Sequence, residues 1–221
     1  MTPHIKLVIF DLDGTLLNTL SDLAHSANHA LEKCGFPVHD IETYKCFVGN
    51  GINKLLERSL PDHHKTALNI ARLKAFFLPY YDAHSTDYTE VYAGIDKLLK
   101  TLQYKGLMLS VASNKYQKAT EKLVLRFFSD ISFTAILGQR DGVPVKPNPA
   151  IVNEILQIAD VSPEETCYIG DSDVDMQTAS NSGVTSIGVT WGFRSHEELK
   201  TAGANYIADT PEEIGKITFL L

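Results

Sequence analysis

The sequence predicts an α/β fold, a doubly wound, Rossmann-like parallel sheet with a small α-helical domain inserted near its start. Three observations predict it. Short apolar runs recur along the chain, helical patterns separate most of them, and one long block after the first run is helical throughout.

The apolar runs are Leu7–Phe10, Leu107–Ala112, Phe133–Leu137, Cys167–Ile169 and Thr185–Val189, with a weaker one at Tyr206–Ala208. They lack polar alternation, which marks parallel strands buried on both faces. Between them, Ile95, Leu98, Leu99 and Leu102 fall at helical spacing, as do Leu123, Val124, Phe127 and Phe128. Strands alternating with helices build right-handed βαβ units. Helix starts are marked by Ser162-Pro163-Glu164-Glu165 and Thr210-Pro211-Glu212-Glu213. Each offers a hydroxyl at N-cap, proline at N1 and glutamate at N3, a capping box. Ser195 with Glu198 repeats the box without proline, and Asn148-Pro149 reads as a cap and first turn.

The stretch from Leu17 to Tyr88 breaks the alternation. Leu20, Leu23, Ala24, Ala27 and Leu31 form one helical stripe, Leu55, Leu56 and Leu60 another, and Arg72 to Tyr81 a third. No strand is expected between these pieces. The expected organisation is therefore a core of residues 1–16 plus 89–221 and a helical cap domain of residues 17–88.

Composition narrows the function. The 221 residues are 44% hydrophobic and 21% charged, ordinary for a globular protein. A net charge of −7 offers no basic stripe for nucleic acid. No apolar run approaches the ~18 residues of a membrane span. Cys34, Cys46 and Cys167 are widely spaced, without a zinc pattern. The expectation is a cytoplasmic protein, monomer or homodimer, acting on a small molecule.

Four segments offer chemistry. Asp11-Leu12-Asp13-Gly14-Thr15 follows the first apolar run, so Asp11 falls at the carboxyl end of a parallel strand, where open α/β sheets bind ligands. Residues two apart on extended chain point the same way, so both carboxylates can face one crevice. Gly170-Asp171-Ser172-Asp173-Val174-Asp175 follows another strand. Its alternating acids suggest a calcium loop, but Met176 stands where that loop needs glycine and Ser182 where it needs glutamate. Clustered carboxylates at a strand end suit Mg²⁺ instead. Ser113-Asn114-Lys115 ends a third strand, where a hydroxyl and backbone N–H groups at a helix start can cradle phosphate. Lys146, between Val145 and Pro147, sits on a loop stiffened by Pro147 and Pro149. Each segment alone also reads as a polar turn, a cap or a solvated side chain. Together they converge on one sheet edge.

Taken together, Asp11-x-Asp13-Gly14-Thr15, Ser113-Asn114, Lys146 and Gly170-Asp171-x-x-x-Asp175 resemble the four motifs of the haloacid dehalogenase superfamily. The resemblance spans essentially the whole chain, including the helical insertion. Within the superfamily, the first motif and Val48-Gly49-Asn50-Gly51 are similar to the phosphoglycolate phosphatase group. The resemblance implies Asp11 as nucleophile and Asp13 as general acid and base. It implies Mg²⁺ on Asp11, the main-chain carbonyl of Asp13 and Asp171, with Asp175 supporting that shell or orienting the lysine. Ser113, Asn114 and Lys146 would hold the phosphoryl oxygens. Independently of the resemblance, Gly49, Asn50 and Gly51 of the cap precede the helical stripe that begins near Ile52. Their backbone N–H groups sit at a helix start that favours an anion, and are expected to meet the substrate. Lys54, one turn along, reads as a solvated side chain.

Asp13 argues against dehalogenases and phosphonatases, and Leu12 against transport ATPases, which carry lysine there. Leu23 stands near the position where β-phosphoglucomutases carry a hinge histidine, with His25 out of place. The expected activity is hydrolysis of a small phosphomonoester, 2-phosphoglycolate foremost. Pyrophosphatase and sugar-phosphate activities are the alternatives, since the motifs read only the phosphate. A non-catalytic phosphate-binding protein is the alternative of another class.

Overall fold

The computed structural model describes residues 5–221; residues 1–4, where the expected core begins, lie outside them. Strand β1 (Leu7–Phe10) is followed by β2 (Leu17–Asn18) and four helices, α1 (Leu20–Cys34), α2 (Tyr44–Phe47), α3 (Gly51–Ser59) and α4 (Ala67–His84). The chain returns through β3 (Glu90–Val91) into α5 (Ile95–Tyr104), β4 (Met108–Tyr116), α6 (Gln117–Phe127) and β5 (Ala135–Gln139). It continues as α7 (Ala150–Ala159), β6 (Thr166–Gly170), α8 (Asp173–Ser182), β7 (Thr185–Val189), α9 (His196–Thr201), β8 (Tyr206–Ala208) and α10 (Pro211–Leu220).

The main sheet runs β5-β4-β1-β6-β7-β8, and every pairing is parallel. All four residues of β1 are fully buried, because helices cover both faces. Val8 and Phe10 pack with Ile95, Leu98 and Leu123 from α5 and α6. Leu7 and Ile9 point the other way, against Ile151, Val152 and Ala179 of α7 and α8. This two-sided burial is why the strand reads as unbroken apolar sequence.

Helices α1 to α4 bury a separate core, built from Leu23, Ala27, Leu31, Leu56, Leu73 and Phe77 among others. The block leaves and rejoins the sheet domain through two adjacent segments. Buried Asp22 ties them together, accepting from the backbone N–H of Tyr88 at 3.0 Å and of Thr89 at 2.9 Å, and from Thr89 Oγ1 at 2.7 Å. No helix among the described residues is long and apolar enough to cross a membrane.

Several sequence expectations need correction. Leu17–Asn18, expected in the helical stretch, is a strand paired antiparallel with Glu90–Val91; two-residue strands are too short to show periodicity. The strand expected at Phe133–Leu137 lies at Ala135–Gln139. Ser162-Pro163-Glu164-Glu165 does not cap an α-helix: residues 163–165 make one 3₁₀ turn leading directly into β6, and Ser162 forms no backbone cap. Local capping chemistry was present, but the following apolar run belongs to the sheet. The strand expected to end at Ala112 continues to Tyr116 after a register shift against β5. Ser113 therefore lies within a strand, not at a helix start, and α6 begins only at Gln117.

Candidate active site

β1 is flanked by β4 and β6 at the centre of the sheet. Connections run outward on both sides of this point, leaving the crevice at the carboxyl ends of the strands where such sheets bind ligands. Asp11 follows β1 directly, its backbone N–H donating to the Ile169 carbonyl of β6 at 2.8 Å. β4 brings Ser113, Asn114 and Lys115 to the same edge, and β6 brings Asp171. The pocket between this edge and the helical block is lined by residues from both, including Asp11, Asp13, Ser113, Asp171, Gly49 and Gly51.

Lys146 is the buried hub of the polar network. Its Nζ donates at 2.8 Å to Asp11 Oδ1 and to Asp175 Oδ1, and at 3.0 Å to the Ala112 carbonyl. It also lies 2.8 Å from the Tyr168 hydroxyl. Asn114 holds the Lys146 backbone from both sides, accepting its N–H at 2.9 Å and donating to its carbonyl at 3.1 Å. The loop lysine is thus 2% exposed rather than solvated.

Asp175 sits in the first turn of α8, in a reciprocal capping box with Ser172. Its Oδ2 accepts from Ser172 Oγ at 2.6 Å and from the Ser172 N–H at 3.1 Å, leaving Oδ1 for Lys146. Asp171 accepts from Thr15 Oγ1 at 3.2 Å and from the Phe193 N–H at 2.7 Å. Carboxylate oxygens of Asp11, Asp171 and Asp175 lie within 4.8 Å of one another.

Asp13 is held apart from this cluster. Its Oδ1 accepts from Thr19 Oγ1 at 2.7 Å and its Oδ2 from Lys115 Nζ at 2.9 Å. The two carboxylates predicted to share a crevice do so, each with its own lysine.

The electrostatics follow from burial. Desolvation pushes the Asp11 carboxyl up to about 7 against the pull of Lys146. Asp171 rises well above the usual range, first through burial and then through its acidic neighbours Asp175 and Asp11. Burial pulls the Lys146 ammonium down, but Asp11 and Asp175 outweigh it and hold the group charged. Three buried carboxylates thus face one ammonium. The excess negative charge is relieved either by protons, which is why the Asp11 and Asp171 carboxyls are raised, or by a further cation. The donor set is all oxygen, which suits a hard divalent cation.

A family profile described as haloacid dehalogenase-like hydrolase matches residues 8–189. The chain belongs to this family. A phosphoglycolate phosphatase from Mannheimia succiniciproducens is 30% identical over 224 residues, covering 98% of this chain and all of that protein, 100%. A candidate phosphoglycolate phosphatase from Lactobacillus delbrueckii subsp. bulgaricus has a crystal structure that superposes with a TM-score of 0.93. It is 34% identical, and the match covers 98% of this chain and 99% of that one. A predicted phosphoglycolate phosphatase from Haemophilus somnus is 29% identical with a TM-score of 0.89, covering 97% and 98% of the two chains. This haloacid dehalogenase-like hydrolase is a phosphatase.

Of the cap residues singled out in this hydrolase, Gly49 and Gly51 line the pocket. The side chain of Asn50 turns to Arg58, which donates to it at 2.8 Å. Gly51 has φ +79, and a Cβ there would lie 3.2 Å from the Asn114 carbonyl and from Gln139 Oε1, so the turn needs glycine for fit as well as conformation. Sequence reasoning gave no role to Lys115, Tyr168, Thr19, Tyr81 or Arg194. Lys115 had a signal, since it lies two residues beyond Ser113 on extended chain and so shares its side. Arg194 had none: it reaches from the loop after β7 to the carbonyls of Lys45 and Val48.

Proposed function

We propose that the chain hydrolyses small phosphomonoesters, 2-phosphoglycolate foremost, through a phosphorylated Asp11. The observation that carries this reading is the separation of two carboxylates at one strand end. Asp11 is bound by Lys146 beside the acidic cluster, while Asp13, two residues on, is held by Thr19 and Lys115.

In the first step a carboxylate oxygen of Asp11 attacks phosphorus, and the bond from phosphorus to the ester oxygen breaks. The departing alkoxide takes its proton from Asp13. In the second step Asp13 removes a proton from water, which attacks phosphorus and releases Asp11. Covalent catalysis divides one hard displacement into two easier ones, and the proton transfers contribute ~10²–10⁴ in rate. Ser113 and Lys146 hold the phosphoryl oxygens, and Lys146 also separates the charges of Asp11 and Asp175. Asn114, whose amide donors are taken by the Gly49 and Lys146 carbonyls, fixes the lysine loop rather than the phosphate. Asp11, Asp171 and the Asp13 main-chain carbonyl would hold Mg²⁺, with Asp175, whose oxygens lie within 4.8 Å of the other two carboxylates, supporting them. When bound, the ion neutralises phosphoryl charge and balances the buried acids.

Residues 17–88 act as the cap that closes the pocket over the core of residues 1–16 and 89–221. The backbone N–H groups of Gly49, Asn50 and Gly51, where α3 begins, favour an anionic group on the substrate. Similarity to the Mannheimia enzyme supports phosphoglycolate as that substrate.

The test is a panel of phosphorylated metabolites ranked by kcat/KM with Mg²⁺ and with EDTA, alongside Asp11→Asn. Phosphoglycolate should rank first and need Mg²⁺, and the variant should fold and be inert. Residual activity of Asp11→Asn within tenfold of the unmodified protein would sink the covalent mechanism.

A further inference from the structure

Two buried donors facing the pocket have hydrogen-bonding capacity that the protein does not use. Tyr81, on α4, is fully buried and lines the pocket, yet its hydroxyl has no hydrogen-bond partner among the described residues. Lys115 lines the same pocket with its side chain 3% exposed. An ammonium has three N–H donors, and Asp13 Oδ2 is the only hydrogen-bond partner of Lys115 Nζ among the described residues. The two side chains are neighbours, with Lys115 Nζ 4.7 Å from the centre of the Tyr81 ring.

Buried polar groups in native proteins are nearly always satisfied, so a site with spare donors on two side chains is built to receive an acceptor. The neighbouring walls are apolar: Leu23, Leu55 and Phe77 line the pocket too. Low local polarity strengthens any charge interaction made there. Burial raises the Tyr81 phenol well above its ordinary range, so the hydroxyl keeps its proton and remains a donor.

Position identifies what the acceptor belongs to. Lys115 is bonded to Asp13 and lies outside the Lys146 cluster that surrounds Asp11. On the proposed mechanism Asp13 protonates the ester oxygen, so a group beside Lys115 lies on the departing half of the substrate. We infer that the Tyr81 hydroxyl and the Lys115 ammonium form a specificity subsite for an anionic substituent, a carboxylate, on the leaving alcohol. The inference rests on the functional reading above and deepens it. It assigns discrimination to side chains of α4 and β4, where that reading invokes only the backbone at the start of α3.

The experiment compares 2-phosphoglycolate with 2-hydroxyethyl phosphate, a neutral analogue of similar size, in the unmodified protein, Tyr81→Phe and Lys115→Met. Tyr81→Phe keeps the ring and deletes a hydroxyl that bonds to nothing in the protein, so the fold stands. It should lower kcat/KM for phosphoglycolate by about tenfold, the worth of one hydrogen bond to a charged group, and change the neutral ester much less. Lys115→Met should lower both rates through Asp13, but phosphoglycolate further, so that the preference between the two esters shrinks. If the unmodified protein shows no preference for the carboxylate ester, the functional reading fails. If it shows the preference and both variants retain it in full, that reading stands and the subsite is refuted.

Discussion

Gly14 faces the carboxylate of Asp171 so closely that a Cβ on it would lie 2.3 Å from Asp171 Oδ2. The same glycine has φ +89, a conformation in which side chains are strained. Gly14→Ala should therefore both strain the turn after Asp13 and push Asp171 from its place. The Mg²⁺ concentration giving half-maximal phosphatase rate should rise at least about tenfold, equivalent to ~1.4 kcal/mol of lost binding. An unchanged metal titration would count against Asp171 as a ligand.

Lys146→Met leaves Asp11 and Asp175 buried without their ammonium. Removing one partner of a buried pair costs ~3–5 kcal/mol. Urea unfolding of the metal-free protein should show a loss of that order, with activity abolished. A loss below ~1 kcal/mol, the level of an exposed ion pair, would mean that the acids have another source of compensation.

Metal removal should matter more at high pH than at low. Burial raises the folded-state Asp11 carboxyl from 3.8 to about 7. A group raised on folding contributes stability that is whole below its unfolded value and is lost as pH climbs through the folded one. The metal-free protein should therefore lose stability between about pH 4 and pH 7 on account of Asp11. Saturating Mg²⁺ should flatten that decline. Parallel melting curves with Mg²⁺ and with EDTA over this range would refute the charge imbalance as its cause.

Asp13→Ala should depend on the leaving group. With p-nitrophenyl phosphate, whose phenolate departs without help, the rate should fall less than with phosphoglycolate, by ~10²-fold or more in the ratio. Equal losses on the two substrates would identify Asp13 as structural.

Arg194 donates from the β7–α9 loop to the carbonyls of Lys45 and Val48 in the helical block. Arg194→Ala should loosen the turn at Gly49–Gly51 over the pocket, costing ~1–3 kcal/mol of closure from lost hydrogen bonds. KM should rise more than kcat falls, and amide exchange should quicken in α2 and the start of α3. Unchanged exchange there would show that the block is held by its other contacts.

The sequence by itself determined the layout. Strands buried on both faces need continuous apolar runs, so β1, β7 and β8 were legible at their true bounds, and Asp11, Asp13 and Asp171 followed from strand-end position. Helical stripes likewise separated α1, α3 and α4 from the sheet. Pairing and partnership were decided only by the tertiary structure. β2 and β3 are too short to show a period, and exist because Leu17 and Val91 meet across 74 residues of chain. Lys146 taken alone reads as a solvated loop residue, and only its order among the other motifs marks it for the site. That it binds Asp11, Asp175 and Tyr168 was decided by the fold, because these partners lie far off in sequence. The spare donors of Tyr81 and Lys115 were equally invisible. Whether a polar atom is satisfied depends on which distant groups surround it once buried, and local sequence does not encode that.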